Sequence, residues 1–140
     1  MPQIPPNVPA APAAQRPWLI QGGMGVGVSG RRLARAVSLE GQLGVVSGTA
    51  LDVVLARVLQ TGDPGGHARR ALAAFPLPEL AQTALDRYFR EDGPGGGAPM
   101  RTTPRLRATG GAPAEILTVL GNFVEVWLAK EGHDGIVGIN

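Results

Sequence analysis

The sequence of 140 residues has no cysteine, few aromatic residues (4%) and few charged residues (17%). The missing cysteines exclude disulfide frameworks, thiolate metal sites and a cysteine nucleophile, and they suit a reducing, cytoplasmic compartment. The net charge is only +2, and the arginines form no basic stripe interleaved with aromatics, so no nucleic-acid partner is expected. No apolar run approaches the roughly 18 residues that cross a bilayer, so no membrane span is expected.

Glycine and proline, in contrast, are plentiful, with 21 and 13 residues, and 44% of the chain is hydrophobic. The length is that of one domain. Residues 1–16 are rich in proline and alanine, and we predict an extended arm there. Residues 17–140 are predicted to form the domain, which a glycine-rich loop between Asp92 and Pro99 interrupts.

The most informative segment begins at Trp18, where an apolar run leads into a glycine loop, an amphipathic stretch and a second apolar run. We predict strand one over Trp18–Gly22, buried on both faces. Ser29 is the expected N-cap of a helix over Arg31–Glu40, and strand two is expected over Leu43–Ser47. Such a unit places backbone N–H groups at the carboxyl end of a parallel strand, where anionic cofactors bind. The apolar face of the helix is expected to contain Leu33, Ala34, Ala36 and Val37.

The remainder of the chain is predicted to be mainly helical before a third strand. Thr49 is the expected N-cap of a helix whose apolar face runs from Leu51 to Val58, and Gly62-Asp63-Pro64 should end that helix. A three-stranded parallel sheet with an open edge is a poor end point for a domain, so truncation is expected, with a small complete α/β domain as the alternative. The other predicted elements are helices over Gly66–Phe75, Pro78–Arg90 and Ala114–Glu131, a weak strand or extended segment over Met100–Leu106, and a strand over Gly135–Asn140.

The segment from Gly25 to Gly30 matches the G-x-G-x-x-G pattern of dinucleotide-binding folds, after a predicted strand and before a predicted helix. An NAD-binding Rossmann module is therefore one interpretation. Two features oppose it. The glycine run already begins at Gly22, and strand two does not end in an acidic residue for the ribose, since the first carboxylate, Asp52, suits a helix cap. A tight turn without any ligand is a further alternative.

Several separated blocks of the sequence closely resemble the nitronate monooxygenase (2-nitropropane dioxygenase) family. The family also includes flavin-dependent enoyl-reductase relatives. The resemblance runs from about Pro17 to Asn140, apart from the region between Gly93 and Gly111. The matching blocks are Ile20–Val26, Leu33–Ser38, Gly41–Gly48, Gly62–His67, Asn122–His133 and Val137–Asn140.

The resemblance implies an α/β fold, namely the FMN-binding (β/α)8 TIM barrel, which needs about 250 residues. This chain would supply the first three strands, with a helical insertion after strand two. In the family the loop after strand one runs under the flavin ring, which assigns cofactor binding to Gly22, Gly23 and Met24, although many relatives have Ala-Pro-Met there. A strand-three asparagine also contacts the flavin, and Asn140 matches it. The family's phosphate-binding strands and catalytic histidine would lie beyond residue 140, and no metal site is expected.

The activity that the resemblance implies is the oxidation of an alkyl nitronate, a small-molecule substrate, with oxygen to a carbonyl compound and nitrite. The chain by itself is expected to be inactive, because the remainder of the barrel or a homo-oligomer is needed to complete the flavin site. An enoyl-thioester reductase component of fatty-acid or polyketide synthesis, using NAD(P)H, is the alternative within the same fold. A non-catalytic α/β fragment that docks through strand three is the alternative from another class. His67 and His133 are expected to be structural, although His67 could line the active-site entrance.

Overall fold

The computed structural model of the protein describes residues 16–93, 99–104 and 112–140. Within these ranges the chain is a mixed α/β structure with a three-stranded parallel sheet and five helices. The predicted N-terminal arm, apart from Arg16, and residues 94–98 of the glycine-rich loop lie outside the described residues. The strands are β1 (Ile20–Gln21), β2 (Leu43–Val46) and β3 (Val137–Ile139). The helices are α1 (Arg31–Leu39), α2 (Leu51–Gln60), α3 (His67–Ala73), α4 (Pro78–Tyr88) and α5 (Ala112–Lys130).

The three strands lie side by side in chain order, β1-β2-β3, and both pairs are parallel. The register places Val46 of β2 opposite Ile139 of β3. Val46 is fully buried and packs in one cluster with Ala34 of α1 and Ala129 of α5. Helices α1 and α5 therefore cover the same face of the sheet.

The opposite face of the sheet is largely exposed in the described part of the chain. Side chains alternate between the two faces of a strand, so the half-buried Leu43 and Val45 lie on this side. Ile20, which pairs with Leu43, is 64% exposed, and Trp18 just before β1 is 83% exposed. The prediction that strand one is buried on both faces is wrong, because β1 is a short edge strand with helices on one side only.

Helix α1 lies on the sheet through small side chains. Its buried residues are Ala34 and Ser38, and the backbone of Ala34 lies directly over Gly44 of β2. The predicted apolar face is wrong at Leu33 and Ala36, which are exposed. A helix that approaches a strand this closely must present small residues to it, so the larger apolar side chains turn away.

Helix α5 is the centre of the helical layer, since it contacts α1, α2, α3, α4 and β3. The fully buried leucines Leu59, Leu72 and Leu120 join α2, α3 and α5 in one core cluster, and Tyr88 adds α4 to it. Burial of each such leucine contributes about 1.5–3 kcal/mol. The helical insertion after strand two is thus built around a core of its own, beside the smaller cluster at the sheet.

By length and composition alone, α5 is the one helix of the described ranges that could cross a membrane, with a mean hydropathy of 1.3 over 18 residues. Its contacts with four helices and a strand, and the buried Glu125 in its second half, are those of a core helix. A core helix passes the same test, so α5 gives only weak support for a membrane span.

The start of α2 differs from the prediction by one residue. The N-cap is Ala50, in the left-handed conformation at φ 56°, and not Thr49. The Thr49 hydroxyl accepts a hydrogen bond from Ser47 Oγ at 3.3 Å, so it is used in the loop after β2. Asp52 lies in the first turn, where its negative charge interacts favourably with the dipole of the helix.

The segment predicted as a weak strand or extended over Met100–Leu106 contains no strand in its described part, residues 100–104. The buried amide of Gln60 holds it in place. Its Oε1 accepts the N–H of Arg101 and its Nε2 donates to the Arg101 carbonyl at 3.1 Å. A side-chain amide of α2 therefore takes the role that a neighbouring strand would have.

The turn between α2 and α3 is built on Asp63, a residue in the left-handed region at φ 47°. Its side chain is 1% exposed and accepts the N–H groups of Ala68 and Arg69 at 3.0 and 2.9 Å. The Arg69 guanidinium bonds the same carboxylate and lies 4.6 Å from the ring centre of Phe89. The predicted helix break at Gly62-Asp63-Pro64 is confirmed, and its aspartate also caps the next helix.

Candidate functional site

The carboxyl ends of the three strands meet at one edge of the sheet, together with the loops that follow them. Asn140, directly after β3, donates its N–H to the carbonyl of Val46 at 3.2 Å. Its own carbonyl accepts the N–H of Gly48 at 2.7 Å. This edge is the place where ligands bind in open parallel sheets and barrels.

Two of the predicted flavin-binding residues, Gly23 and Asn140, are in direct contact at this edge. The Asn140 Nδ2 donates to the carbonyl of Gly23 at 3.2 Å. A Cβ at Gly23 would lie 2.8 Å from Asn140 Cγ and 3.1 Å from the carbonyl oxygen of Val46. A methyl group at position 23 would displace the Asn140 side chain, so the contact as it stands depends on Gly23.

The other two predicted residues lie on either side of Gly23 and are open to solvent. A Cβ at Gly22 would meet no atom of residues 16–93, 99–104 or 112–140 within 4 Å. The side chain of Met24 is 69% exposed, whereas its N–H is bonded to Ser29 Oγ at 3.0 Å. The loop after β1 therefore presents bare main chain at Gly22, and one flexible thioether beside it.

The N-cap of α1 is Gly30 and not the predicted Ser29. The Ser29 hydroxyl is 3.0 Å from the N–H of Met24 and 3.2 Å from the carbonyl of Gly22, so it bonds the loop and not the helix. The Ser29 carbonyl accepts the N–H of Ser47 at 2.8 Å. These bonds join the loop after β1 to the end of β2.

A carboxylate from another helix occupies the N-terminus of α1 in place of a serine cap. Glu125 of α5 is only 7% exposed. Its Oε2 accepts the N–H of Arg31 at 3.1 Å, and its Oε1 pairs with the Arg31 guanidinium. A dinucleotide-binding fold offers this helix end to a pyrophosphate. The geometry thus disfavours the NAD-binding interpretation of Gly25–Gly30.

Replacing Glu125 by glutamine is expected to lower the free energy of unfolding by about 1–3 kcal/mol, because the Arg31 N–H and guanidinium lose a charged acceptor. Urea unfolding followed by far-ultraviolet circular dichroism measures the change. Glu40→Gln is the control, since Glu40 is exposed at the end of α1, and a change below about 0.5 kcal/mol is expected there. Equal losses in the two variants would contradict the capping role of Glu125.

His67 lies away from the carboxyl edge. Its Nδ1 is 3.2 Å from Arg70 Nη2. Arg70 forms a bidentate ion pair with Glu131, in which Nε donates to Oε1 at 2.8 Å and Nη2 donates to Oε2 at 2.9 Å. The hydrogen bond raises the pKa of Arg70 and lowers the pKa of Glu131. Glu131 directly follows α5, where the chain turns to the amino end of β3, so His67 does not line an entrance beside Asn140.

His133 is engaged in the turn that leads from α5 to β3. Its Nδ1 accepts the N–H of Gly135 at 3.1 Å, and its Nε2 lies 2.7 Å from the carbonyl of Ala129. One neutral tautomer, with the proton on Nε2, satisfies both bonds. Both ring nitrogens thus stabilise the turn, as expected for a structural histidine.

Sequence reasoning missed two polar residues of α5 that approach the site. Glu125 caps α1, and the Oδ1 of Asn122 would lie 2.8 Å from a Cβ at Gly48 in the loop after β2. The two residues are three positions apart and therefore share one face of the helix. The spacing of Asn122 and Glu125 within a largely apolar stretch of the helix was the signal in the sequence. In the described ranges, no group of three or more His, Asp or Glu residues could hold a metal ion.

The residues at the carboxyl edge fit a flat aromatic cofactor in one respect. At Gly22 no side chain prevents a ring from lying against the main chain, and the Asn140 amide lies at the border of that surface with donor and acceptor groups. Among the described residues, no basic side chain bonds Gly23 or Asn140, so a phosphate group would need partners elsewhere.

No protein-family model, curated protein or solved structure matches this chain.

Proposed function

We propose that this chain is the flavin-facing N-terminal part of an FMN-dependent oxidoreductase of the nitronate monooxygenase type. The observation that supports the proposal most is the contact between Gly23 and Asn140, because two residues 117 positions apart, both assigned to flavin binding, meet at the carboxyl edge of a parallel sheet. The whole enzyme would oxidise alkyl nitronates with oxygen, and bound FMN would supply the electron transfer.

The arrangement of the sheet supports a barrel as the framework. Sequential parallel strands with helices on one face only are what a sector of a (β/α)8 barrel requires, since the other face becomes the barrel interior. Ile20, Leu43 and Val45 are the apolar residues of that open face. The first half of a dinucleotide-binding sheet has the same strand order, and Glu125 at the N-terminus of α1 is what favours the barrel.

Under this proposal, Gly22, Gly23 and Met24 would lie beneath the ring, and Asn140 would bond its edge. The groups that hold the phosphate and the base that removes or returns a proton would come from the remainder of the barrel or from a second copy. The absence of cysteine agrees with a cytoplasmic location, which is part of the proposal.

The test uses the protein expressed from its complete reading frame. It should purify with non-covalent FMN, consume oxygen and release nitrite when an alkyl nitronate is added. Residues 1–140 alone should bind FMN only weakly in a fluorescence-quenching titration, and tight binding would contradict the need for further partners. A colourless protein that does not bind added FMN would overturn the proposed function.

The same preparation separates the reductase alternative. Bleaching of the bound flavin by NAD(P)H, without nitrite release from a nitronate, would favour the enoyl-thioester reductase. Protection against thermal unfolding by NAD in the absence of any flavin would favour the dinucleotide-binding interpretation instead. Concentration-dependent dimerisation without flavin would favour a non-catalytic module that docks through β3.

A further inference from the structure

We propose that Ser29 is a positioning residue of the flavin-facing loop. This inference rests on the proposed function and extends it to a residue that lies outside the assigned flavin contacts. Ser29 is buried, with 1% of its surface exposed, and its hydroxyl bonds groups of the loop after β1.

The Ser29 hydroxyl bridges the two peptide groups that flank Gly23. It accepts the N–H of Met24 at 3.0 Å and donates to the carbonyl of Gly22 at 3.2 Å. The Nε2 of Gln21 lies 3.2 Å from the same oxygen, and the Gln21 Oε1 accepts the N–H of Val45 in β2 at 3.3 Å.

These bonds determine which way the loop presents its main chain. Because the Gly22 carbonyl and the Met24 N–H both point toward Ser29, the peptide plane on either side of Gly23 cannot rotate without breaking a partly buried hydrogen bond. The Ser29 carbonyl is itself bonded to the N–H of Ser47 at 2.8 Å, so the hydroxyl is held relative to the end of β2. The loop is therefore preorganised toward the place where a flavin would lie.

The experiment compares Ser29→Ala with Ser38→Ala in the complete flavin-bound protein. Ser38 is a matched control, because it is also a buried serine of the same segment (2% exposed) and its hydroxyl has no hydrogen-bond partner in the described part of the chain. Ser29→Ala is expected to raise the dissociation constant of FMN about ten-fold, because the hydrogen bonds that orient the two peptide groups are lost. It should also change the visible circular dichroism of the bound flavin, which a loss of overall stability would not. Ser38→Ala should leave both unchanged.

A second measurement needs no variant. Although Met24 is an exposed residue, its N–H is expected to exchange with solvent more slowly than that of Val26, which has no acceptor among the described residues. Fast exchange at Met24 would overturn the inference even if Ser29→Ala failed to fold. Equal FMN binding and equal flavin spectra in the two serine variants would overturn this inference alone. Absence of FMN from the wild-type protein would overturn the proposed function together with it.

Discussion

Under the proposed function, Gly23→Ala is expected to raise the dissociation constant of FMN by roughly 5- to 150-fold. The added methyl group would lie 2.8 Å from Asn140 Cγ and 3.1 Å from the Val46 carbonyl, so either the asparagine or the loop must move. The free protein can relieve this contact by moving the Asn140 side chain, and FMN binding must then restore the strained arrangement. Restoring it is expected to cost about 1–3 kcal/mol, and each 1.4 kcal/mol is a ten-fold change in affinity. A fluorescence-quenching titration with FMN measures the effect.

Gly22→Ala is the comparison variant, one residue away in the same loop, and it tests contact with the flavin without a clash inside the protein. Its methyl group would meet no protein atom within 4 Å, and neither glycine has a positive φ, so alanine is compatible with the backbone at both positions. Any decrease in FMN affinity in Gly22→Ala would come from contact between the added methyl group and the flavin, and not from a clash within the protein. An unchanged dissociation constant in Gly23→Ala, with the fold intact by circular dichroism, would show that the contact with Asn140 does not position the site.

Gly44→Ala should lower the free energy of unfolding by about 3 kcal/mol or more, at the upper end of what overpacking costs. A Cβ at Gly44 would lie 2.7 Å from the Cα and the carbonyl carbon of Ala34, which are backbone atoms of α1. Backbone atoms cannot rotate away as a side chain can, so the whole helix must shift from the sheet. Since domains of this size are stable by only about 5–15 kcal/mol, the change should be plain in urea unfolding.

Gly138→Ala tests the same glycine-to-alanine substitution on the neighbouring strand β3. There the methyl group would lie 3.5 and 3.6 Å from side-chain atoms of Val45 and Leu43, which is ordinary van der Waals contact on the open face. A change of less than about 0.5 kcal/mol is expected. If the two alanine variants unfolded at the same urea concentration, the close approach of α1 to β2 would not be important for stability.

Local sequence patterns predicted the order and type of the elements well. The βαβ unit, the helical insertion and the third strand all appear, and Gly41, at φ +72°, follows the end of α1 as expected. Glycine and proline positions determine where helices stop through local backbone geometry, which needs no tertiary information. The boundaries shifted by at most two residues, as they did at β1 and α3.

Contacts between elements could not be derived in this way. Arg31 and Arg35 lie outside the predicted apolar face of α1, yet both reach α5 and the residue after it. Arg31 pairs with Glu125, and Arg35 bonds the carbonyls of Ala129 and Glu131. A periodic pattern marks apolar residues, but it does not show which neighbouring helix will offer a carboxylate or a free carbonyl. The predicted N-caps Ser29 and Thr49 were wrong for the same reason, because each hydroxyl bonds a residue outside the helix that it was expected to cap.

From the sequence alone came the α/β class, the glycine loop after the first strand and the four residues proposed for flavin binding, because each depends on short-range patterns or on a family resemblance. Tertiary structure decided that Gly23 lies against Asn140, that Glu125 caps α1, and that one face of the sheet stays exposed. The two contacts join residues some 90 to 120 positions apart in the chain. Only the packing of α1 and α5 on the same face of the sheet brings those residues together, and it leaves the other face exposed.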